Sequence, residues 1–250
     1  MNKSPVPSFQ TPPIRVAVVT PTFNRSRFLD HSHHCFTAQT AHAQNAPLLE
    51  LHWFILDDSP EPHRADWCQN DPLVTYEWRP GRLALGHKRN LLNDRAAAWG
   101  AKTVCALDDD DWYGPTYVSS MHGLLATGHQ LAGSSEDYLL ELASGRVFRI
   151  PPLRNDTTCN GVLCFDTAIL PGRRYDDTAT IGEEPAFLRR DIVAQHPDVR
   201  SIHLGLAHPS NTATKKNYVR STELLTDLTL DDFPMSEASK AFYRGLTGKP

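Results

Sequence analysis

Short apolar runs, each stopped by a polar or proline-bearing cluster, recur along the first half of the chain. Ile14-Arg-Val-Ala-Val-Val19 stops at Thr20-Pro21, and Leu51-His-Trp-Phe-Ile-Leu56 at Asp57-Asp58-Ser59-Pro60. Leu73-Val-Thr-Tyr-Glu-Trp78 stops at Arg79-Pro80-Gly81, and Thr103-Val-Cys-Ala-Leu107 at four aspartates. Runs of this length bounded by turn residues predict buried strands. Residues 25–43 are expected to be helical. So are residues 87–99, where Leu92, Ala96 and Trp99 recur at i, i+4 and i+7 and Gly100 stands at the C′ position. Strand, helix, strand, strand, helix, strand at this spacing predicts a largely parallel sheet covered by helices.

After Tyr113 the pattern changes. Residues 131–142 and 146–150 flank Ala143-Ser-Gly145, a hairpin signal. Residues 160–165 and 199–204 are expected as strands and 183–195 as a helix. Residues 1–13 carry four prolines and no apolar stretch of the kind a signal peptide has, so a disordered Pro-rich tail is expected there. The expected organisation is that tail, one α/β domain over 14–214, and a helical or extended C-terminal appendage over 215–250.

Composition narrows the function classes. With 40% hydrophobic and 22% charged residues the chain is neither disordered nor a coiled coil. No apolar run approaches the ~20 residues of a membrane helix. A net charge of −4 excludes a chain built as a whole to bind polyanions, leaving local patches such as Lys215, Lys216 and Arg220, read as a solvated segment. The five cysteines (35, 68, 105, 159, 164) include no C-x-x-C pair, which indicates free thiols and a cytoplasmic setting rather than a zinc site or disulfide framework.

The chemistry concentrates where strands end. Ligands of open α/β sheets bind at the carboxyl ends of the strands, and three such ends are loaded here: Thr20-Pro-Thr-Phe-Asn-Arg25, Asp57-Asp58-Ser59 and Asp108 to Asp111. Adjacent carboxylates repel by ~4 kcal/mol per close pair at an effective dielectric near 20, against ~1 in water. At the end of a buried strand that repulsion calls for a cation, and hard oxygen ligands suit Mg²⁺ or Mn²⁺ with substrate phosphates completing the shell. Gly182-Glu-Glu-Pro185 puts two carboxylates at a helix start. By position alone they are helix dressing; otherwise one is a general base. His31, His33 and His34 are expected on a solvated helix face.

Five motifs, in order, carry a resemblance. Val16-Ala-Val-Val-Thr-Pro-Thr-Phe-Asn-Arg25, Ile55-Leu-Asp-Asp-Ser59, Lys88-Arg-Asn-Leu-Leu92, Leu107-Asp-Asp-Asp-Asp-Trp112 and Gly182-Glu-Glu-Pro-Ala-Phe-Leu188 resemble family-2 glycosyltransferases with the GT-A fold. The resemblance implies an α/β, mostly parallel central sheet flanked by helices, with a smaller antiparallel element on the acceptor side. It implies an inverting transferase that uses a nucleotide sugar and Mn²⁺ or Mg²⁺. Thr20, Pro21, Thr22 and Asn24 would line the nucleotide, Asp57 would meet the base, and Arg89 the base or phosphates. The family's D-x-D falls on Asp108 and Asp110, with Asp108 and Asp109 toward the donor and Asp110 on the metal; Asp109 and Asp111 leave a register one residue away open. The family's catalytic Glu-Asp pair falls on Glu183 and Glu184, with Glu184 as general base where Asp is usual. A distal metal ligand is expected at His208, with His203 the alternative. The acceptor is a hydroxyl on a glycan, a lipid carrier or a modified nucleic-acid base. Two other readings stay open: a nucleotidyltransferase, disfavoured because the first loop has no glycine, and a nucleotide-sugar-binding module without activity.

Overall fold

The computed structural model describes residues 12–39, 49–212 and 215–247, so nearly all of the expected tail and the end of the first predicted helix lie outside the described residues. In chain order the strands are β1 (Ile14–Thr22), β2 (Leu49–Asp57), β3 (Val74–Trp78), β4 (Thr103–Ala106), β5 (Trp112–Tyr113), β6 (Leu131–Gly133), β7 (Asp137–Glu141), β8 (Arg146–Ile150), β9 (Cys164–Asp166), β10 (Ala194–Gln195) and β11 (His203–Ala207). The helices are α1 (Ser26–Thr37), α2 (Trp67–Asn70), α3 (Leu85–Ala98), α4 (Tyr117–Ala126), α5 (Glu184–Leu188), α6 (Lys216–Val219) and α7 (Glu237–Leu246).

Seven strands form one sheet in the order β10-β6-β9-β4-β1-β2-β3. β1, β2, β3 and β4 run parallel, and β9 runs antiparallel between β4 and β6. Why β1 reads as a continuous apolar run is plain from its two faces. Val16 and Val18 pack with Phe28, Leu29 and Phe36 of α1, while Ala17 and Val19 pack with Leu92 and Ala96 of α3. A strand covered on both faces needs apolar residues at every position, not alternate ones. Parallel register sets Thr22 beside Asp57 and Val19 beside Ala106, so the three loaded loops leave one edge of the sheet together. A second, mixed sheet, β5-β11-β7-β8, stands beside that edge.

Several expectations shift. The helix predicted over 183–195 stops after five residues because Arg189 and Arg190 adopt φ of +54° and +61°, a left-handed turn that no helix continues. Its expected end, Ala194–Gln195, instead pairs with β6. Of the strand predicted over 160–165, the first half is a 3-10 turn and only Cys164–Asp166 is strand. The strand over 199–204 is displaced to His203–Ala207. The hairpin at 143–145 forms between β7 and β8, while residues 131–133 belong to the larger sheet.

The C-terminal stretch folds back onto the body, burying Leu230, Phe233, Met235 and Tyr243 in the α1-side core. This overturns the solvated reading for His31 and His33, while His34 is exposed as expected. His31 is buried, with its ring stacked on Phe242 at 4.3 Å, and the His33 ring stacks on Trp67 at 4.6 Å. Among the described residues no helix is long and apolar enough to cross a membrane, and all five cysteines are free.

Candidate active site

β4 runs directly into Asp108, and the two-residue β5 turns the chain back. Between them the four aspartates fan apart toward partners on other elements, with Asp109 and Asp110 sharing Arg25. Asp108 Oδ1 accepts from Arg89 Nη2 at 3.3 Å. Asp109 accepts from Thr22 Oγ1 at 2.5 Å and Arg25 Nη1 at 3.2 Å. Asp110 Oδ2 accepts from Arg25 Nη1 and from Asn211 Nδ2 at 3.1 Å, and lies 2.9 Å from His208 Nε2. Asp111 Oδ1 accepts from the Leu206 backbone N–H at 2.7 Å and lies 3.6 Å from Lys215 Nζ. The repulsion inherent in the sequence is thus answered by three cations, Arg25, Arg89 and Lys215, from three separate parts of the chain.

Those partners separate the carboxyls electrostatically. Burial and the neighbouring Asp110 charge push Asp109 up to about 7. Burial would push Asp110 the same way, but the His208 hydrogen bond and the Arg25 charge outweigh it and hold Asp110 well below the usual carboxylate range. Behind Asp111, His203 is fully buried between two acids: Nδ1 is 2.8 Å from Asp137 Oδ1 and Nε2 is 3.3 Å from Asp111 Oδ2. Burial opposes its charge, yet the two carboxylates raise it to about 10 and keep it protonated. The loop also depends on Gly161. A Cβ there would stand 2.7 Å from Tyr113 Oη, the atom that accepts the Asp108 backbone N–H and donates to the Gly161 carbonyl.

α3 brings cations to the same edge. Arg89 Nε donates to Glu183 Oε1 at 2.6 Å, so this one side chain joins Glu183 to Asp108. Lys88 Nζ donates to Asp58 Oδ1 at 2.7 Å and to the Thr22 carbonyl at 3.0 Å. Glu184 follows at the first turn of α5. Its Oε1 and the Oε2 of Glu183 are buried with no hydrogen-bond partner among the described residues. Burial, with the Glu183 charge beside it and Arg89 opposing, raises Glu184 to about 7.

Two adjoining cavities open at this edge. One, of about 370 Å³, is lined by Pro21, Arg89, Asp108 to Asp111, Asp137 and Glu183; the other, of about 560 Å³, is lined by Phe23, Asn24, Arg82, Lys88 and Ser210. Arg25, Asp109 and Asn211 line both. Pro21, Asn24, Arg89, Asp108, Asp109, Asp110 and Glu183 therefore face space, as the sequence led one to expect. Glu184 and His208 stand among the same contacts without lining either cavity.

Thr20 and Asp57 depart from expectation, because their oxygens are already committed inside the protein. Thr20 Oγ1 donates to the Leu107 carbonyl and accepts from Trp53 Nε1 at 2.8 Å. Asp57 accepts from the Ser59 backbone and hydroxyl and from Tyr76 Oη at 2.6 Å. Ser59 Oγ in turn accepts the Asn24 backbone N–H at 2.7 Å, so Asp57 braces the first loop through Ser59. Thr22 likewise acts through Asp109. Lys215, read from sequence as solvated, is drawn to Asp111. Arg25, Lys88 and Asp137 are site residues that no sequence motif assigned a role, and His203, the alternative metal ligand of the sequence reading, stands between Asp137 and Asp111; the signal for Arg25 was its place closing the first loop, opposite four acids.

A divalent ion can be tested against these side chains. Asp110 and His208 offer one carboxylate and one imidazole, a donor pair suited to Mn²⁺ or Mg²⁺. Ser210 Oγ lies 2.9 Å from His208 Nδ1, so Nε2, which now contacts Asp110 Oδ2 at 2.9 Å, is the nitrogen an ion would take in place of that contact. Among the described residues no group of three or more His, Cys, Asp or Glu side chains is gathered for a metal. The pair fits an ion whose shell is completed by phosphate oxygens.

No protein-family model and no curated protein sequence matches the chain. Solved structures do. S. aureus TarS in complex with UDP-GlcNAc superposes with a TM-score of 0.57 at 14% identity, over 80% of this chain and 60% of that one. The mannosyltransferase PcManGT from Pyrobaculum calidifontis, in complex with GDP-Man and Mn²⁺, gives 0.53 at 13% identity, over 83% of this chain and 59% of that one. The chain thus spans about 60% of TarS 1-349 and of PcManGT, and 37% of a longer TarS chain. What they share with it is the fold: a mostly parallel α/β sheet with antiparallel strands, the GT-A arrangement its motifs led one to expect.

Proposed function

We propose that the chain is a glycosyltransferase that moves a sugar from a nucleoside-diphosphate sugar to an acceptor hydroxyl in one inverting displacement. The observation that carries this reading is Glu184: a buried carboxyl with an unpartnered oxygen, raised to about 7, beside the Arg89 clamp on Asp108 and Glu183. A general base is most effective when its pKa lies near the working pH. Glu184 takes the proton from the acceptor oxygen as that oxygen bonds the anomeric carbon. The bond from that carbon to the diphosphate oxygen breaks on the opposite face, and inversion follows.

The remaining residues receive charge. The cavity lined by Arg25, Arg82 and Lys88 suits the nucleotide and its diphosphate. Arg89 holds Asp108 and Glu183 at the donor sugar. Asp110 and His208 would hold Mn²⁺ or Mg²⁺, which when bound supplies Lewis-acid neutralisation of the departing diphosphate. The complexes of similar fold with UDP-GlcNAc and with GDP-Man and Mn²⁺ support this reading. Five free thiols favour a cytoplasmic setting. The test is incubation with a panel of nucleotide sugars and Mn²⁺: release of nucleoside diphosphate supports transfer or slow hydrolysis, whereas release of pyrophosphate supports a nucleotidyltransferase.

A further inference from the structure

Eight large apolar side chains are exposed among the described residues. Single exposed apolar groups are ordinary, but three of these meet at one place. Leu153 (69% exposed), Ile181 (56%) and Tyr218 (41%) all line the 370 Å³ cavity, with Ile150 and Leu139 deeper in the same wall. They come from three separate parts of the chain: the segment after β8, the turn before Glu183, and α6. None of the five lines the second cavity. The site is therefore two-sided. Pro21, Arg25, Leu85, Asp109, Asn211 and Thr212 are shared with the second cavity; the wall away from it carries the five apolar groups beside Asp137, Glu183 and Lys215.

We infer that the acceptor presents its hydroxyl from an apolar group, aliphatic or aromatic, that lies across Leu153, Ile181 and Tyr218. This rests on the glycosyltransferase reading, because it assigns the second cavity and the residues shared with it to the donor and leaves the wall of Leu153, Ile181 and Tyr218 for the second substrate. In-line displacement requires the acceptor to approach from the side opposite the leaving diphosphate, and Ile181, two residues before Glu183, lines the same cavity as that carboxylate. A purely polar acceptor would leave this mouth wet. An apolar one would take it out of water, which favours binding in proportion to the area covered.

The test compares methyl and hexyl β-glucoside binding, by calorimetry, to protein saturated with UDP or GDP, whichever raises its melting temperature. Each added methylene is worth about fourfold in affinity when fully buried, so the hexyl compound is expected to bind at least about tenfold more tightly. In a Leu153→Ser/Ile181→Ser double variant that ratio falls toward one, while Ile192→Ser, an exposed apolar position off the cavity, keeps it. Equal binding of the two glucosides, or a ratio that survives the double variant, overturns the inference. So does a wild-type dimer that the double variant dissolves, since the mouth would then be a contact between copies. Absence of any nucleoside-diphosphate binding would contradict the glycosyltransferase reading itself; donor binding with no preference between glucosides contradicts the acceptor class alone.

Discussion

Arg89 and Glu183, ninety-four positions apart, meet at 2.6 Å with both side chains buried. The contact ties the middle of α3 to the start of α5, and Arg89 extends it to Asp108 at the end of β4. Removing one partner of a buried ion pair strands the other charge and costs about 3–5 kcal/mol. Arg89→Met is accordingly expected to lower the melting temperature by about 10 °C, at about 2–4 °C per kcal/mol for a domain of this size. A scanning-calorimetry shift below about 2 °C would show that the clamp bears no charge-pairing role.

Glu184 yields opposite signs for activity and stability. Its carboxyl, raised to about 7, must be ionised to act as base, so turnover rises with pH through about 7 and levels above it. The folded protein holds that proton more tightly than the unfolded chain does. Stability from the protonated form is therefore present below the unfolded value and is lost as pH rises through about 7. Glu184→Gln removes this loss. Denaturant titrations should find the variant no less stable than wild type at pH 5.5 and more stable at pH 8.5; the reverse order would contradict the buried, unpaired carboxyl.

His203 gives a second pH window. Raised to about 10 by Asp137 and Asp111, it contributes stability that is complete below its unfolded value near 6.5 and disappears as pH rises through about 10. His203→Gln should cost about 3–5 kcal/mol at pH 7, because two buried carboxylates lose their cation. The deficit should narrow by pH 10.5. A deficit independent of pH would mean that the ring acts by packing alone.

Asp110→Asn is expected to weaken Mn²⁺ binding in the presence of UDP or GDP by tenfold or more, on the order of what a lost ligand or its support costs. Electron paramagnetic resonance of free Mn²⁺ reads this directly. Titration curves that superpose for variant and wild type would remove Asp110 from the metal.

The legible part of this fold was the part with a period. The inner stretches of β1, β2 and β4 (16–19, 53–56 and 104–106) are buried on both faces and apolar throughout, and parallel register then placed the acidic loops together. α3 was legible only at its far end, where Leu92 and Ala96 face the sheet; its near end buries Lys88, Arg89 and Asn90, charged and polar groups that no apolar pattern marks. α4 went unread although Tyr117, Val118, Met121 and Leu125 keep a helical spacing on its buried face, with Ser119, Ser120 and Gly123 off that face. Asp57 and Thr20 looked like ligands because residue type and place were right. Whether an oxygen faces a cavity or a neighbouring hydroxyl depends on contacts such as Tyr76 to Asp57, across nineteen positions, that local sequence does not record.

Single-turnover release of nucleoside diphosphate by wild type and by Glu184→Gln, each saturated with its best nucleotide sugar, Mn²⁺ and acceptor, tests the central claim most directly. Loss of a general base costs about 10²–10⁴-fold, so the variant should bind the donor as tightly as wild type and turn over slower by that factor. Equal rates for the two proteins would contradict the assignment of Glu184 and the displacement built on it.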